Sequence, residues 1–449
     1  MKPFHVRSKP FYVRELSVYP VGRRRIFLLS IAVLASLVAN FETTIATILP
    51  LLMQDLDMSL TVYGQIAALS VLVGGLSAGF GGILSDRWGR VTILVPTLTI
   101  TAACNFLLAT VDSVAGLFWV RCLMLFIEGA GITITASLVR DFSPRMGRAQ
   151  AFAFWTWGPV GASFLASAIA GFTLPLFGNS WRSQAIIMGV VSLSLCAIII
   201  WKIAEPSAAL RAEVMHHEAQ AGTAAEGPAY HARLAELFRH PHLWAHVLGN
   251  TGWQVLYWTF AIFGQTILSG GFGMDPAAAN RVVALGIVLN AVAVVVVGRL
   301  SDRLQLRKPF IAAGTVLTVA ALGYFIALIG PGVPAGQVTA VYALLYLFMG
   351  IAYVPWMANF SENAEDVESR LQGSALGIWG MVVRVMIVAL LVVSPMVVEA
   401  SGWQTWLWVA LAGQVLFLAS MAAFKGRWRA RVPALGAPGP PRPRGAGGG

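Results

Sequence analysis

The chain has 449 residues, of which 57% are hydrophobic and only 11% charged, with a mean hydropathy of +0.73. A soluble domain carries about 25% charged residues and cannot hide this much apolar surface behind so few; the same figures exclude a disordered chain, a coiled coil and a disulfide-stapled secreted scaffold. The net charge of +11, from 31 basic and 20 acidic residues, falls in short loops between long apolar runs, which argues for a polytopic membrane protein and against a nucleic-acid surface.

Twelve apolar runs are long enough to cross a bilayer, which takes about 20 residues of helix. They lie near 26–50, 61–84, 91–111, 114–138, 149–173, 183–203, 243–269, 278–300, 309–330, 337–358, 373–398 and 403–424. The first follows Arg23, Arg24 and Arg25 like the start of a signal peptide, but it is too long, lacks a small-residue cleavage site and contains Glu42, so it reads as a retained span. Cys104, Cys122 and Cys196 all lie in apolar runs without CxxC spacing and read as small core residues rather than a disulfide frame or zinc site.

An even number of spans puts both termini on one side. With that side cytoplasmic, every Lys and Arg falls in cytoplasmic segments except Arg182 and Arg281 outside and Arg121 and Arg384 within spans, the asymmetry expected of an inner-membrane protein. The expected organisation is a cytoplasmic segment 1–25, a six-helix half 26–203, a cytoplasmic linker 204–242, a second half 243–424 and a disordered cytoplasmic tail 425–449, rich in Pro and Gly from Pro433 on. In the linker, Tyr230 to Arg239 fits an amphipathic surface helix. One loop inverts the charge pattern: Glu362, Glu365, Asp366 and Glu368 precede Arg370, a solvated acidic loop suited to partnering basic loops opposite.

The halves share a signal. Between spans two and three stands Gly82-Ile-Leu-Ser-Asp86-Arg87-Trp-Gly89-Arg90, and between spans eight and nine Gly298-Arg-Leu-Ser-Asp302-Arg303, followed by Arg307 and Lys308. The aspartates are 216 residues apart, near half the chain, as in duplicated transporter halves. These residues resemble the loop signature G-x-x-x-D-R-x-G-R of the major facilitator superfamily. The resemblance runs from about 24 to 426, with Val91 replacing a usual basic residue and Gln305 standing where the second copy's glycine would be. It implies an all-α membrane fold of twelve transmembrane helices in two six-helix halves. It also implies that Gly82, Asp86, Arg87, Gly89, Arg90, Asp302 and Arg303 gate the cytoplasmic side; an ordinary tight charged turn is the plainer alternative.

A charge in lipid costs at least about 2.5–3.5 kcal/mol and usually faces a cavity or partner. Four stand out: Glu42 in span one, Arg121 and Glu128 in span four, and Arg384 in span eleven. Arg121 and Glu128 share a helix face but lie about 10.5 Å apart along the axis, so each needs another partner or a function. The stretch Arg121-Cys-Leu-Met-Leu-Phe-Ile-Glu128-Gly129-Ala130 looks like the R-F-L-L-G-I-G-E-G-A pattern of the anion:cation symporters, which carry hexuronates, galactonate, sialic acid and organic phosphates. That resemblance implies that Glu42 and Glu128 couple proton binding to anion transport. Those symporters place an arginine directly after the span-one acid, whereas this chain has Thr43; Arg384 can supply the missing charge, or the substrate is not a sugar acid. A competing resemblance to proton-coupled drug exporters rests on Gly158-Pro159, with Ala162 and Ser163 replacing the two glycines of their G-P-x-x-G-G element, and on Glu42-Thr-Thr44 with Pro50.

The residues also argue chemically. An acid in a low-dielectric cavity holds a proton near neutral pH, and an adjacent arginine opposes this. An arriving carboxylate that captures the arginine frees the acid to bind a proton. Glu42 and Glu128 are therefore candidate proton sites, and Arg121 and Arg384 candidate anion-holding groups; a salt bridge that only joins helices is the alternative. In span seven Asn250, Trp253, Gln254, Tyr257 and Trp258 form one stripe, and in span ten Tyr346, Tyr353, Trp356 and Asn359 offer a similar surface, suited to a ligand part flat and part polar. Spans one, four, seven and ten line the cavity in the superfamily, which implies substrate contact for Asn250, Trp253, Gln254, Tyr257, Tyr346 and Tyr353. Gly75 and Gly79 suggest a helix-packing face. His242 and His246 have metal spacing but no third ligand. With no phosphate loop and no catalytic constellation, the chain reads as a transporter and not an enzyme, without metal or cofactor, driven by the proton gradient. Its expected partners are the bilayer, protons and a small organic anion such as an aromatic or sugar acid, taken up by a monomer through alternating access, with no nucleic acid. The alternatives are proton-antiport export of drugs or metabolites, and a transporter-like ligand receptor.

Overall fold

The structure, a computed structural model, describes residues 10–143, 151, 154–207, 209–211, 213, 239–367 and 372–429. Helices α1 (Gly22–Val38) and α2 (Thr44–Asp55) form one apolar crossing bent by 40°. At the bend, Phe41–Thr43 is a 3-10 turn. Asn40 Nδ2 donates to Ser36 O at 2.6 Å and Thr43 Oγ1 to Asn40 O at 3.0 Å, so side chains satisfy backbone oxygens that an unbroken helix would use.

The remaining long elements are α3 (Leu60–Trp88), α4 (Arg90–Ala109), α5 (Val114–Asp141), α6 (Trp157–Thr173), α7 (Trp181–Lys202), α8 (Pro241–Phe272), α9 (Pro276–Leu304), α10 (Lys308–Leu328), α11 (Ala335–Glu365) and α12 (Gln372–Ser420). Ten helices among the described residues are long and apolar enough to cross a membrane, and the bent pair taken as one span makes eleven. Gly402 (φ 80°, ψ 169°) breaks α12 into two arms, which carry the last two apolar runs; an L side chain is disfavoured at that φ. Starts are set by side-chain caps: Ser59 accepts from Val62 N, Ser113 from Gly116 N, and Asp275 from Ala277 N and Ala278 N.

The outer faces are apolar, with Leu76, Ile83 and Trp119 about two-thirds exposed, as expected of helices whose solvent is lipid. Small residues bring α3 against α5, but not those expected. Gly75 and Gly79 face open space, whereas a Cβ on Gly81 would stand 2.5 Å from Ala130 Cα and one on Gly74 2.9 Å from Leu125 O. Each residue turns a helix by about 100°, so the packing face is set by Gly74, Ser77 and Gly81. Between the halves, α6 packs on α9, α3 on α12 and α2 on α8.

One feature departs from an all-helical reading. Residues Glu15–Leu16 (β1) pair in parallel with Glu205–Pro206 (β2), tying the segment before α1 to the segment after α7. The acidic loop is described only to Val367, so Glu368 and Arg370 lie outside the described residues, as do 230–238 of the linker and the tail from Pro433.

Candidate functional site

A cavity of about 250 Å³ lies between the halves, with walls from α2, α3, α5, α6, α8, α9, α11 and α12. On one wall Arg121, 4% exposed, places Nη2 3.1 Å from Glu42 Oε2, and its guanidinium carbon lies 5.3 Å from the ring centre of Tyr63. Its Nε and Nη1 have no hydrogen-bond partner. The break in span one positions Glu42: freed from the helical ladder, its backbone N–H donates to Glu128 Oε1 at 3.3 Å. Arg121 and Glu128 are thus joined through Glu42, on a different helix. Glu128 is buried, and the ion pair of this group is between Arg121 and Glu42.

The facing wall carries Tyr257, Trp258, Gln265, Asn280, Asn290 and Tyr346. Of the side chains expected to meet substrate, Glu42, Arg121, Glu128, Tyr257 and Tyr346 line this cavity; Asn250, Trp253, Gln254, Tyr353 and Arg384 are not among its lining residues. The stripe on α8 divides. Asn250 Oδ1 accepts from Trp379 Nε1 at 3.0 Å, and Trp253 is stacked on Tyr257 and Tyr353 at 5.9 and 5.2 Å, so these face α11 and α12. Arg384 is exposed on α12. Trp356 stacks on Phe360 at 5.5 Å, and Asn359 Nδ2 donates to Lys425 O at 2.9 Å, which are packing roles. His246 stacks on Phe424 at 3.7 Å, with Nε2 2.6 Å from Asn363 Nδ2.

Three links join the halves at the end where α3, α5 and α9 begin. Asn280 Nδ2 donates to Thr47 O at 2.8 Å, Arg281 Nη1 to Gly171 O at 2.6 Å, and Glu399 accepts from Thr61 N and Thr61 Oγ1 at 2.8 and 2.5 Å.

The repeated turns lie at the other end. Gly89 adopts φ +102°, and a Cβ on it would stand 2.8 Å from Glu205 Oε1. Glu205, buried, accepts from Arg90 N and Val91 N at 2.5 and 3.0 Å, an anion on a helix N-terminus. Arg90 bridges Asp86 and Asp141, the latter at 2.8 Å, and Arg211 lies 3.7 Å from both Asp141 and Glu205. Gly82 packs toward Thr133; Arg87 is exposed. In the second copy Arg303 is exposed, and Arg307 joins Asp302 at 2.6 Å to Glu362 at 3.0 Å; Glu362 and Glu365, expected in an acidic loop, are the last turn of α11. Burial lowers the Arg307 pKa, but these two carboxylates outweigh it and hold the guanidinium above its usual range. Gln305, in the glycine position, is left-handed at φ 52°.

Sequence reasoning passed over Tyr63, Gln265, Asn280, Asp141, Glu205, Arg211 and Glu399. The acids at the ends of spans four and six, inside otherwise basic loops, were a readable signal; the amides in spans seven and eight were another.

The sequence pattern of the Major Facilitator Superfamily matches residues 30–388. The Dityrosine transporter 1 of Saccharomyces cerevisiae is 31% identical over 158 residues, 34% of this chain and 27% of that protein. The Niacin transporter NiaP of Acinetobacter baylyi is 28% identical over 200 residues, 42% of each. The chain therefore spans about a quarter of the first and under half of the second. A crystal structure of a D-xylose-proton symporter has the same fold, with a TM-score of 0.66 at 15% identity over 90% of this chain and 98% of that one. With two helical halves around a central cavity and a pattern match over most of its length, this chain belongs to the major facilitator superfamily.

Proposed function

We propose that the protein takes up a small organic anion together with protons, through alternating access around the Arg121 cavity. The observation that carries this is a buried arginine with one nitrogen on Glu42 and two without partners, in a cavity between the halves. A guanidinium held in this way is a ready site for a carboxylate. When the substrate takes Arg121, Glu42 loses its cation; a proton then restores neutrality, since an unpaired buried charge is far more costly than a neutral acid. Glu128, beside Glu42 and outside ion-pair contact with Arg121, is the reserve site from which the proton is shared. The carboxylate implied by the name of the niacin transporter agrees with this reading. We further propose a bacterial inner-membrane location with both termini cytoplasmic, from the positions of Lys and Arg, a monomeric unit, and gating by the turns at Asp86 and Asp302.

A second reading is favoured by one observation. With Arg384 absent from the lining, the cavity's charged groups are two carboxylates and one guanidinium, a balance that suits a cationic substrate exchanged for protons. Proteoliposomes under a pH step separate the two. Anion-dependent proton entry supports symport, proton exit on addition of a cationic drug moves the assignment to export, and ligand binding without flux of either kind identifies a receptor.

A further inference from the structure

We infer that the cavity has a second recognition pole at Gln265, and that together with Arg121 it selects flat aromatic monocarboxylates bearing a ring heteroatom or hydroxyl away from the carboxylate. This rests on the anion reading above and narrows it. Gln265 lines the cavity and is 3% exposed, and neither its Nε2 nor its Oε1 has a hydrogen-bond partner. Buried amides are paired in the great majority of cases, so one left with both atoms free beside a cavity is placed for something that enters it. Two neighbours on the same wall repeat the pattern: Trp258 Nε1 and Asn280 Oδ1 are unpartnered, although Asn280 uses its Nδ2 to hold the halves together.

Position supports the pairing with Arg121. Arg121 is seven residues from the start of α5 and Gln265 seven from the end of α8, and both helix ends lie at the end where the three links join the halves. Each is therefore about 10.5 Å in along its helix from that end, and the two line one cavity from opposite halves. Tyr63 lines the same cavity, with its ring beside the Arg121 guanidinium. Between the poles Val71, Val160, Val283 and Ile287 form apolar parts of the wall, beside the rings of Tyr257 and Tyr346 and the hydroxyls of Ser163 and Ser167. The apolar and aromatic surfaces suit the faces of a flat ring, which lies on them without losing hydrogen bonds. A substrate that engages both poles also draws the two halves together, which ties recognition to closure.

The test measures binding of benzoate, 4-hydroxybenzoate, pyridine-3-carboxylate, 4-hydroxybenzamide and glucuronate to the purified full-length protein in nanodiscs, by calorimetry. One neutral hydrogen bond corresponds to about tenfold in affinity. The wild type is expected to bind 4-hydroxybenzoate and pyridine-3-carboxylate about tenfold tighter than benzoate, and Gln265→Leu to bring those ratios to about one. Gln265→Leu should also unfold at a higher temperature than the wild type without ligand, because an unpaired amide is replaced by an apolar group of similar size; a purely structural glutamine predicts the reverse. Should the leucine variant not fold, Gln265→Asn shortens the reach by one methylene and is expected to lose the same preference. A wild-type ratio near one, a ratio unchanged in the Gln265 variants, or tighter binding of glucuronate than of benzoate overturns the pole. The anion reading fails separately, if 4-hydroxybenzamide binds as well as 4-hydroxybenzoate or if Arg121→Gln leaves carboxylate affinity unaltered.

Discussion

Glu399 provides the most direct handle on the conformational cycle. Its carboxylate accepts from the backbone N–H and hydroxyl of Thr61 at 2.8 and 2.5 Å, so a side chain from one half sits on the first turn of α3 in the other. An anion at a helix N-terminus is worth 0.3–1 kcal/mol, and exposed charge-assisted contacts add little beyond that; about 1 kcal/mol is a fair total for this exposed residue. Glu399→Ala removes it without touching the cavity. With RT near 0.59 kcal/mol, the ratio of molecules closed at this end to molecules open should fall about fivefold. Asp112→Cys and Ala335→Cys, at exposed helix starts in different halves, can carry spin labels on a background with Cys104, Cys122 and Cys196 replaced. Distances between the labels should shift weight from the short to the long population in Glu399→Ala. An unchanged distribution would show that the Thr61 contact contributes nothing to closure, and that the Asn280 and Arg281 links hold the end without it.

The remaining predictions concern the proton site and the two turns. Glu128→Gln should abolish pH-driven accumulation in proteoliposomes while sparing counterflow exchange; accumulation that survives removes Glu128 from the coupling scheme. Gly89→Ala forces a side chain into φ +102° with its Cβ against Glu205. It should destabilise the protein by about 1–3 kcal/mol, read as a lower unfolding temperature, and an unaltered temperature would refute the strain argument. Gln305→Gly relieves a left-handed glutamine and should stabilise by about 0.5–1 kcal/mol, with the denaturation profile as the check.

Composition and hydropathy were sufficient for the membrane class, for the twelve runs and for the paired turns, because lipid requires every spanning backbone to be helical and apolar outside, and this writes itself along the chain as run length. The same rule made Glu42, Arg121 and Glu128 conspicuous, since a charge within an apolar run is expensive wherever the helix finally turns. What the chain could not announce was which way each helix faces. Gly74 and Gly81, not Gly75 and Gly79, meet α5; Tyr257 and Tyr346 reach the cavity while Trp253 and Tyr353 stack on one another; Arg384 remains outside the lining. One residue of rotation separates these outcomes, and hydropathy is blind to rotation in a helix that is apolar all round.

Contacts between segments far apart in sequence were equally hidden. Glu205 on the start of α4, Glu399 on the start of α3 and Glu42 between Arg121 and Glu128 join residues dozens to hundreds of positions apart. The sequence determined that these polar groups exist inside or beside a membrane and must be satisfied. Only the packing of the two halves decided which of them satisfy one another and which, like Gln265 and the free nitrogens of Arg121, remain without a partner in the cavity, because pairing depends on the relative rotation and depth of helices that no single run encodes.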